Sequence, residues 1–100
     1  MYGKIILQRI RKGATTIGHQ FVIKSDKRYE LIKYLDDRNI GTIIHYPIPP
    51  HLSEAYQYLG LKEGDLPITD NYANTVLSIS LNNGMTDDEL YYVINTINAF

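Results

Sequence analysis

The sequence predicts a small α/β domain, a two-layer sandwich in which helices cover a small mixed sheet. Residues 18–24 alternate between two faces, which is typical of a strand. Residues 86–97 combine a T-D-D-E capping box with apolar residues at helical spacing, which is typical of an amphipathic helix. Short strands alternate with helices along 100 residues, so we expect one domain, residues 1–100, with a single core.

The first 41 residues predict two strands and a helix. Residues 3–10 are the first strand candidate and residues 18–24 the second. Ser25 or Asp26 can cap a helix that runs to about Arg38, before N-I-G ends it. Four residues of this helix fall at helical spacing, and Ile32 widens their stripe: Leu31, Tyr34, Leu35 and Arg38.

The remaining residues predict two strands, a turn and three helices. A β-rich run covers residues 42–46, and Pro50 can then open a helix that Gly60 ends. Thr69 or Asp70 can cap a short helix through Val76. Residues 77–81 alternate as a strand with one buried face, and N-N-G at 82–84 is a turn. The stripes of the first and last of these helices are Leu52, Ala55, Tyr56 and Leu59, and Leu90, Val93, Ile94 and Ile97.

Composition excludes several classes of protein. There is no cysteine, so disulfides and a thiolate nucleophile are excluded. The apolar runs are far too short for a membrane span, and no signal peptide is visible, so we expect a cytoplasmic protein without a membrane partner. Residues 1–33 carry a charge balance of +6 and residues 34–100 one of −7, and the net charge of −1 does not indicate a nucleic-acid binder.

The segment H-Y-P-I-P-P-H, residues 45–51, is the main candidate site. It places two imidazoles and a phenol on a chain stiffened by prolines, and pre-ordered polar groups lose less entropy on binding a ligand. One interpretation is a substrate-contacting loop. The other is a proline-rich connection in which Tyr46 packs and both histidines are solvated.

Other residue patterns give weaker indications. His19, His45 and His51 lack the spacing of a zinc site, so we expect no metal. No P-loop, G-x-G-x-x-G turn or G-x-S-x-G elbow occurs. Tyr91 and Tyr92 can belong to an interface or simply be half-buried.

Four segments, in order, carry a resemblance to a known family. They are G-H-Q-F-V-I-K-S, N-I-G-T-I-I-H-Y-P-I-P-P-H-L-S-E-A-Y, G-D-L-P-I-T and L-S-I-S-L-N-N-G-M-T-D-D-E-L. Over residues 3–100 the chain resembles the C-terminal domain of the DegT/DnrJ/StrS aminotransferases, enzymes that use pyridoxal phosphate (PLP) to aminate keto groups on nucleotide-linked sugars. The resemblance implies the small domain of a fold-type I transferase.

The family's large domain carries PLP and its Schiff-base lysine, and no segment here matches that lysine motif. The resemblance therefore implies that these 100 residues hold no catalytic residue and no cofactor of their own. They would need a large PLP-binding domain or subunit as a partner. The complete enzyme would be a homo-oligomer, a dimer in this family, with a nucleotide-sugar substrate.

The resemblance also implies substrate-binding residues. His45 and Tyr46 match the family's H-Y pair, His51 matches the histidine after the prolines, and His19 matches the histidine of H-x-F-V. The chain departs from the family where Lys24 replaces a common arginine, where Ser53 replaces a frequent glutamine, and where S-L-N-N replaces an L-P-L-Y-type run. Two hypotheses follow: part of an aminotransferase that is not competent alone, or a stand-alone binding or oligomerisation module without catalysis.

Overall fold

The structure, a computed structural model, describes residues 5–18, 20–82 and 84–100. Within these ranges four strands and three α-helices alternate, with two 3₁₀ helices between β3 and α2. The elements are β1 (Ile6–Leu7), β2 (Phe21–Lys24), α1 (Arg28–Asp36), β3 (Thr42–Ile43), the 3₁₀ helices Pro50–Leu52 and Glu54–Leu59, α2 (Pro67–Thr75), β4 (Val76–Ile79) and α3 (Asp87–Asn98). The predicted α/β fold class is confirmed.

The four strands form one sheet in the order β1-β2-β4-β3, and every pairing among them is antiparallel. The sequence predicted a mixed sheet, and this part of the prediction is wrong: the sheet is antiparallel. The reason is the position of β4. It lies between β2 and β3, so the two strands joined through α1 run in the same direction but are not neighbours.

The core lies between one face of the sheet and the helices. Ile23 of β2 is directly opposite Leu77 of β4, so both side chains point to the same face, and each is 1% exposed. Leu31 and Leu35 of α1 are fully buried in the same cluster. From α3, Val93 joins this cluster, so α1 and α3 both contribute to the core.

Arg28, the first residue of α1, is buried although no carboxylate pairs with it among the described residues. Its Nη1 donates hydrogen bonds to the carbonyl oxygens of Ala73 in the last turn of α2 (2.6 Å) and of Val76, the first residue after α2 (3.2 Å). The carboxyl end of a helix carries partial negative charge, which favours a cation there. Arg28 thus joins α1 to the end of α2.

Among the three α-helices, the predicted start is confirmed only for α3. Thr86 accepts a hydrogen bond from the Glu89 N–H, and Glu89 accepts one from the Thr86 N–H, both at 3.2 Å, which completes the capping box. For α1, the N-cap is Lys27, and Ser25 instead accepts the Lys27 N–H at 3.1 Å. For α2, the predicted caps at 69–70 are wrong because Pro67 opens the helix with a ring that already fixes φ.

The helix predicted from Pro50 to Gly60 is wrong in type. The segment forms two 3₁₀ helices, and in the second no residue is buried. In a 3₁₀ helix side chains three residues apart are eclipsed, so positions four and seven residues apart in the predicted stripe do not share one face. Gly60 does end the segment as predicted, with a left-handed φ of 70°.

Three smaller predictions are revised. The strand expected over residues 3–10 pairs only at Ile6–Leu7, and β4 buries Ser78 together with its apolar neighbours. In the last helix, Leu90 and Ile94 stay 38% and 42% exposed, so the stripe is only partly covered. The turn at 82–84 includes Asn83, which lies outside the described residues. No helix in the described ranges has the length and apolar character that crossing a bilayer requires.

Candidate functional site

The candidate site centres on the proline loop, residues 44–49, which connects β3 to the first 3₁₀ helix. Tyr46 has a left-handed backbone with φ 53°, and its side chain is 81% exposed. A left-handed conformation costs a non-glycine residue about 1–2 kcal/mol, and it is unusual for a bulky side chain. Such strained residues concentrate at binding and catalytic sites. The interpretation in which Tyr46 packs is therefore wrong.

His45 lies beside Tyr46 and is half-buried. Neither ring makes a hydrogen bond or ion pair with another residue in the described parts of the chain. The phenol can donate and accept, and the imidazole offers one donor and one acceptor when neutral. This pair can therefore bind a polar ligand such as a sugar hydroxyl or a phosphate oxygen.

His51 is placed differently from these two residues. It is 6% exposed, and its Nε2 lies 2.9 Å from Asp70 Oδ1 in α2. The contact is within ion-pair distance, but the two groups are not aligned as a hydrogen bond, and both ring nitrogens lack a hydrogen-bond partner among the described residues. The ring nitrogens of His51 thus face protein rather than solvent. The interpretation in which both histidines are solvated is therefore also wrong.

The remaining predicted site residue, His19, lies outside the described residues. Its assignment to substrate binding stays a prediction. The assignment of His45, Tyr46 and His51 to substrate binding is likewise a prediction.

Sequence reasoning missed Asp70 as part of this region. Its Oδ2 accepts the N–H of Gly64 at 2.6 Å, while Oδ1 faces His51. The sequence offered one signal, a carboxylate in the first turn of a helix that follows a glycine-containing loop, and we interpreted that as a cap. Only the folded chain brings residues 51, 64 and 70 together.

The residues that depart from the family pattern lie apart from the proline loop or serve local structure. Lys24 is half-buried in an open groove of about 700 Å³ that strands β1, β2 and β4 and Tyr72 of α2 line, with Nζ 5.4 Å from the centroid of the Tyr72 ring. No residue of the proline loop lines this groove. Ser53 donates a hydrogen bond to the Pro50 carbonyl at 2.7 Å between the two 3₁₀ helices.

The described lysines do not fit a covalent PLP site. Lys24 is the most enclosed of them, and it lies over an aromatic ring on an open surface. A Schiff-base lysine needs a desolvated pocket that lowers its pKa and holds the coenzyme. The other described lysines are exposed: Lys12, Lys27, Lys33 and Lys62. No group of three metal-ligating side chains occurs in the described ranges either.

Comparison with known proteins identifies the family. Residues 4–98 match the DegT/DnrJ/EryC1/StrS aminotransferase family. The chain belongs to this family. The resemblance derived from its motifs is thereby confirmed.

Individual relatives agree with this assignment. The chain is 36% identical over 95 residues to the erythromycin biosynthesis sensory transduction protein EryC1 of Saccharopolyspora erythraea, covering 95% of this chain and 26% of that protein. It is 36% identical over 81 residues to a dTDP-3-amino-3,4,6-trideoxy-alpha-D-glucose transaminase of Streptomyces venezuelae, covering 81% of this chain and 21% of that protein.

The fold is shared with a solved structure. The crystal structure of S. venezuelae DesV in complex with a ketimine intermediate superposes with a TM-score of 0.89 at 32% identity, over 96% of this chain and 26% of DesV. The chain thus spans about a quarter of the length of the relatives it matches.

Proposed function

We propose that this chain is the small, C-terminal domain of a PLP-dependent aminotransferase that acts on keto groups of nucleotide-linked sugars. Family membership and the names of the relatives support the reaction class. The observation that carries the local proposal is Tyr46, whose strained backbone holds an exposed phenol outward from the proline loop. In this proposal the chain supplies substrate contacts and does not form the coenzyme pocket.

The roles of the proline-loop residues follow from their placement. The Tyr46 hydroxyl extends into solvent, where it can hydrogen-bond a sugar hydroxyl or a phosphate oxygen. The half-buried His45 lies closer to the protein and can orient the same ligand from its base. His51 and His19 remain proposed substrate-binding residues, but His51 would act from its buried position beside Asp70.

PLP would supply an electron sink to the complete enzyme, and its lysine would come from a large domain on another segment or chain. The domain described here would close one side of the substrate site. The proposal also places the complete enzyme in the cytoplasm as a homo-oligomer, without a nucleic-acid or membrane partner.

The test is a titration of the 100-residue chain with dTDP-glucose, followed by ¹H–¹⁵N NMR. We expect chemical-shift changes concentrated at residues 45–48, and a weaker affinity in Tyr46→Phe. Tyr91→Phe is the matched control, since Tyr91 is also an exposed tyrosine (60%) and lies on α3. Shift changes that avoid the proline loop, or equal weakening by both variants, would contradict this site.

A second candidate function, a stand-alone oligomerisation module, is favoured by the apolar surface. Several large apolar side chains are mostly exposed, among them Ile17 (95%), Ile68 (71%) and Ile48 (63%). Exposed apolar surface of this kind is typical of interfaces. Light scattering over a range of concentrations separates the candidates: a monomer at all concentrations excludes the second.

A further inference from the structure

Residues 44–66 need an anchor, because they contain neither an α-helix nor a strand. Of these 23 positions only Pro49 and His51 are buried. A segment with so few buried contacts is expected to open easily. Ile44 packs against the core at the start of the segment, so the placement of the residues after it depends on the contacts that Pro49 and His51 make.

The Asp70 carboxylate contacts two points of the same segment, the His51 ring and the Gly64 N–H. One carboxylate oxygen lies 2.9 Å from His51 Nε2, and the other accepts the Gly64 N–H at 2.6 Å. Asp70 is itself fixed in the first turn of α2, where its N–H donates to the Leu66 carbonyl at 2.9 Å. Asp70 therefore joins the first 3₁₀ helix, the loop after Gly60 and α2.

Prolines connect this anchor to the candidate site. Only four residues separate Tyr46 from His51, and three of them are prolines with restricted φ. Pro49, which is buried, has φ −64°. Because few backbone torsions are free between them, fixing His51 restricts where Tyr46 can point.

We propose that Asp70 is a positioning residue for the proline loop: by holding His51 and the Gly64 N–H, it keeps Tyr46 in its left-handed, outward conformation. Its importance for substrate binding rests on the function proposed above, whereas its effect on the Tyr46 backbone does not. Pre-ordering the loop would lower the entropy lost when Tyr46 meets a ligand.

The experiment compares Asp70→Asn, Asp70→Ala and the control Asn74→Ala in the 100-residue chain. Asn74 lies on α2, is exposed, and its side chain makes no hydrogen bond with the described residues. Backbone ¹³C shifts report φ at Tyr46, and amide hydrogen exchange reports the Gly64 N–H. Asparagine keeps an oxygen for Gly64 but removes the charge beside His51, while alanine removes both.

We expect Tyr46 to lose its left-handed ¹³C shifts in both Asp70 variants, while Asn74→Ala changes nothing. We expect exchange at Gly64 to be about tenfold faster in Asp70→Ala only, since a hydrogen bond to a charged acceptor is lost there. Left-handed shifts that persist at Tyr46 in folded Asp70→Asn would overturn the proposal. If Asp70→Ala does not fold, Asp70→Asn alone decides.

A dTDP-glucose titration separates this proposal from the proposed function. If the backbone ¹³C shifts of Tyr46 change in Asp70→Asn but the wild-type chain binds no dTDP-glucose, Asp70 positions the loop and the proposed function fails. If the wild type binds and Asp70→Asn binds equally well with Tyr46 unchanged, the positioning role fails and the function stands. If the positioning role and the proposed function are both correct, Asp70→Asn weakens the binding of dTDP-glucose by about tenfold, because the loop must then be ordered when the ligand binds.

Discussion

The backbone strain at Tyr46 predicts that its two smallest replacements differ in stability. Tyr46→Ala and Tyr46→Gly remove the same ring, which is 81% exposed and contributes little packing. They differ only in the Cβ atom. At φ 53° a Cβ atom destabilises the folded state by about 1–2 kcal/mol, and glycine lacks this atom.

An opposing effect comes from the unfolded chain. Glycine makes the unfolded state more flexible, which costs roughly 0.4–1 kcal/mol relative to alanine. The strain is the larger of the two, so we expect Tyr46→Gly to be more stable than Tyr46→Ala by about 0.5–1 kcal/mol. Both variants should lose binding of dTDP-glucose, because both lack the phenol.

Urea denaturation followed by circular dichroism measures this difference, provided that the slope of the transition is the same in both variants. Asn39 is the matched control, because it also has a positive φ (61°), and asparagine tolerates that conformation. Asn39→Gly should therefore change stability less than the alanine-to-glycine step at position 46. A Tyr46→Gly chain less stable than Tyr46→Ala would refute the left-handed assignment.

Three further sets of substitutions test the fold of the domain, each by chemical denaturation. Thr86→Ala removes the capping-box acceptor of α3 and should cost about 1 kcal/mol, whereas Thr86→Ser should cost much less; equal losses would contradict the cap. Gly41→Ala brings a Cβ within 2.9 Å of Ser80 Oγ and should cost about 1 kcal/mol, most of which the added Ser80→Ala should restore; no restoration would contradict that contact. Arg28→Met should cost about 1–3 kcal/mol because it leaves the Ala73 carbonyl without its donor, and a neutral result would show that solvent replaces Arg28 there.

The sequence predicted the elements whose signals are local. The capping box at Thr86 needs only residues within one helical turn, and it forms as predicted. Gly60 likewise ends its segment because glycine adopts a positive φ at little cost. The segment before Gly60 was predicted wrongly, because its apolar spacing fits an α-helix but no partner surface covers it.

Within the candidate site, the sequence identified residues but not their separate environments. The H-Y-P-I-P-P-H segment presented three polar rings as one group. The fold separates them: Tyr46 is exposed on a strained backbone, while His51 is buried against Asp70. Burial depends on α2, which lies nearly twenty residues further along the chain, and no local pattern reports such a contact.

The sequence by itself determined the family and the α/β class, because motif order and hydrophobic spacing are properties of the chain alone. Only the tertiary structure decided that β4 inserts between β2 and β3, which makes the sheet antiparallel, and that Asp70 meets both His51 and Gly64. The physical reason is common to both. Strand order and buried polar contacts join residues distant in sequence, so they are fixed by packing of the whole domain rather than by local preference.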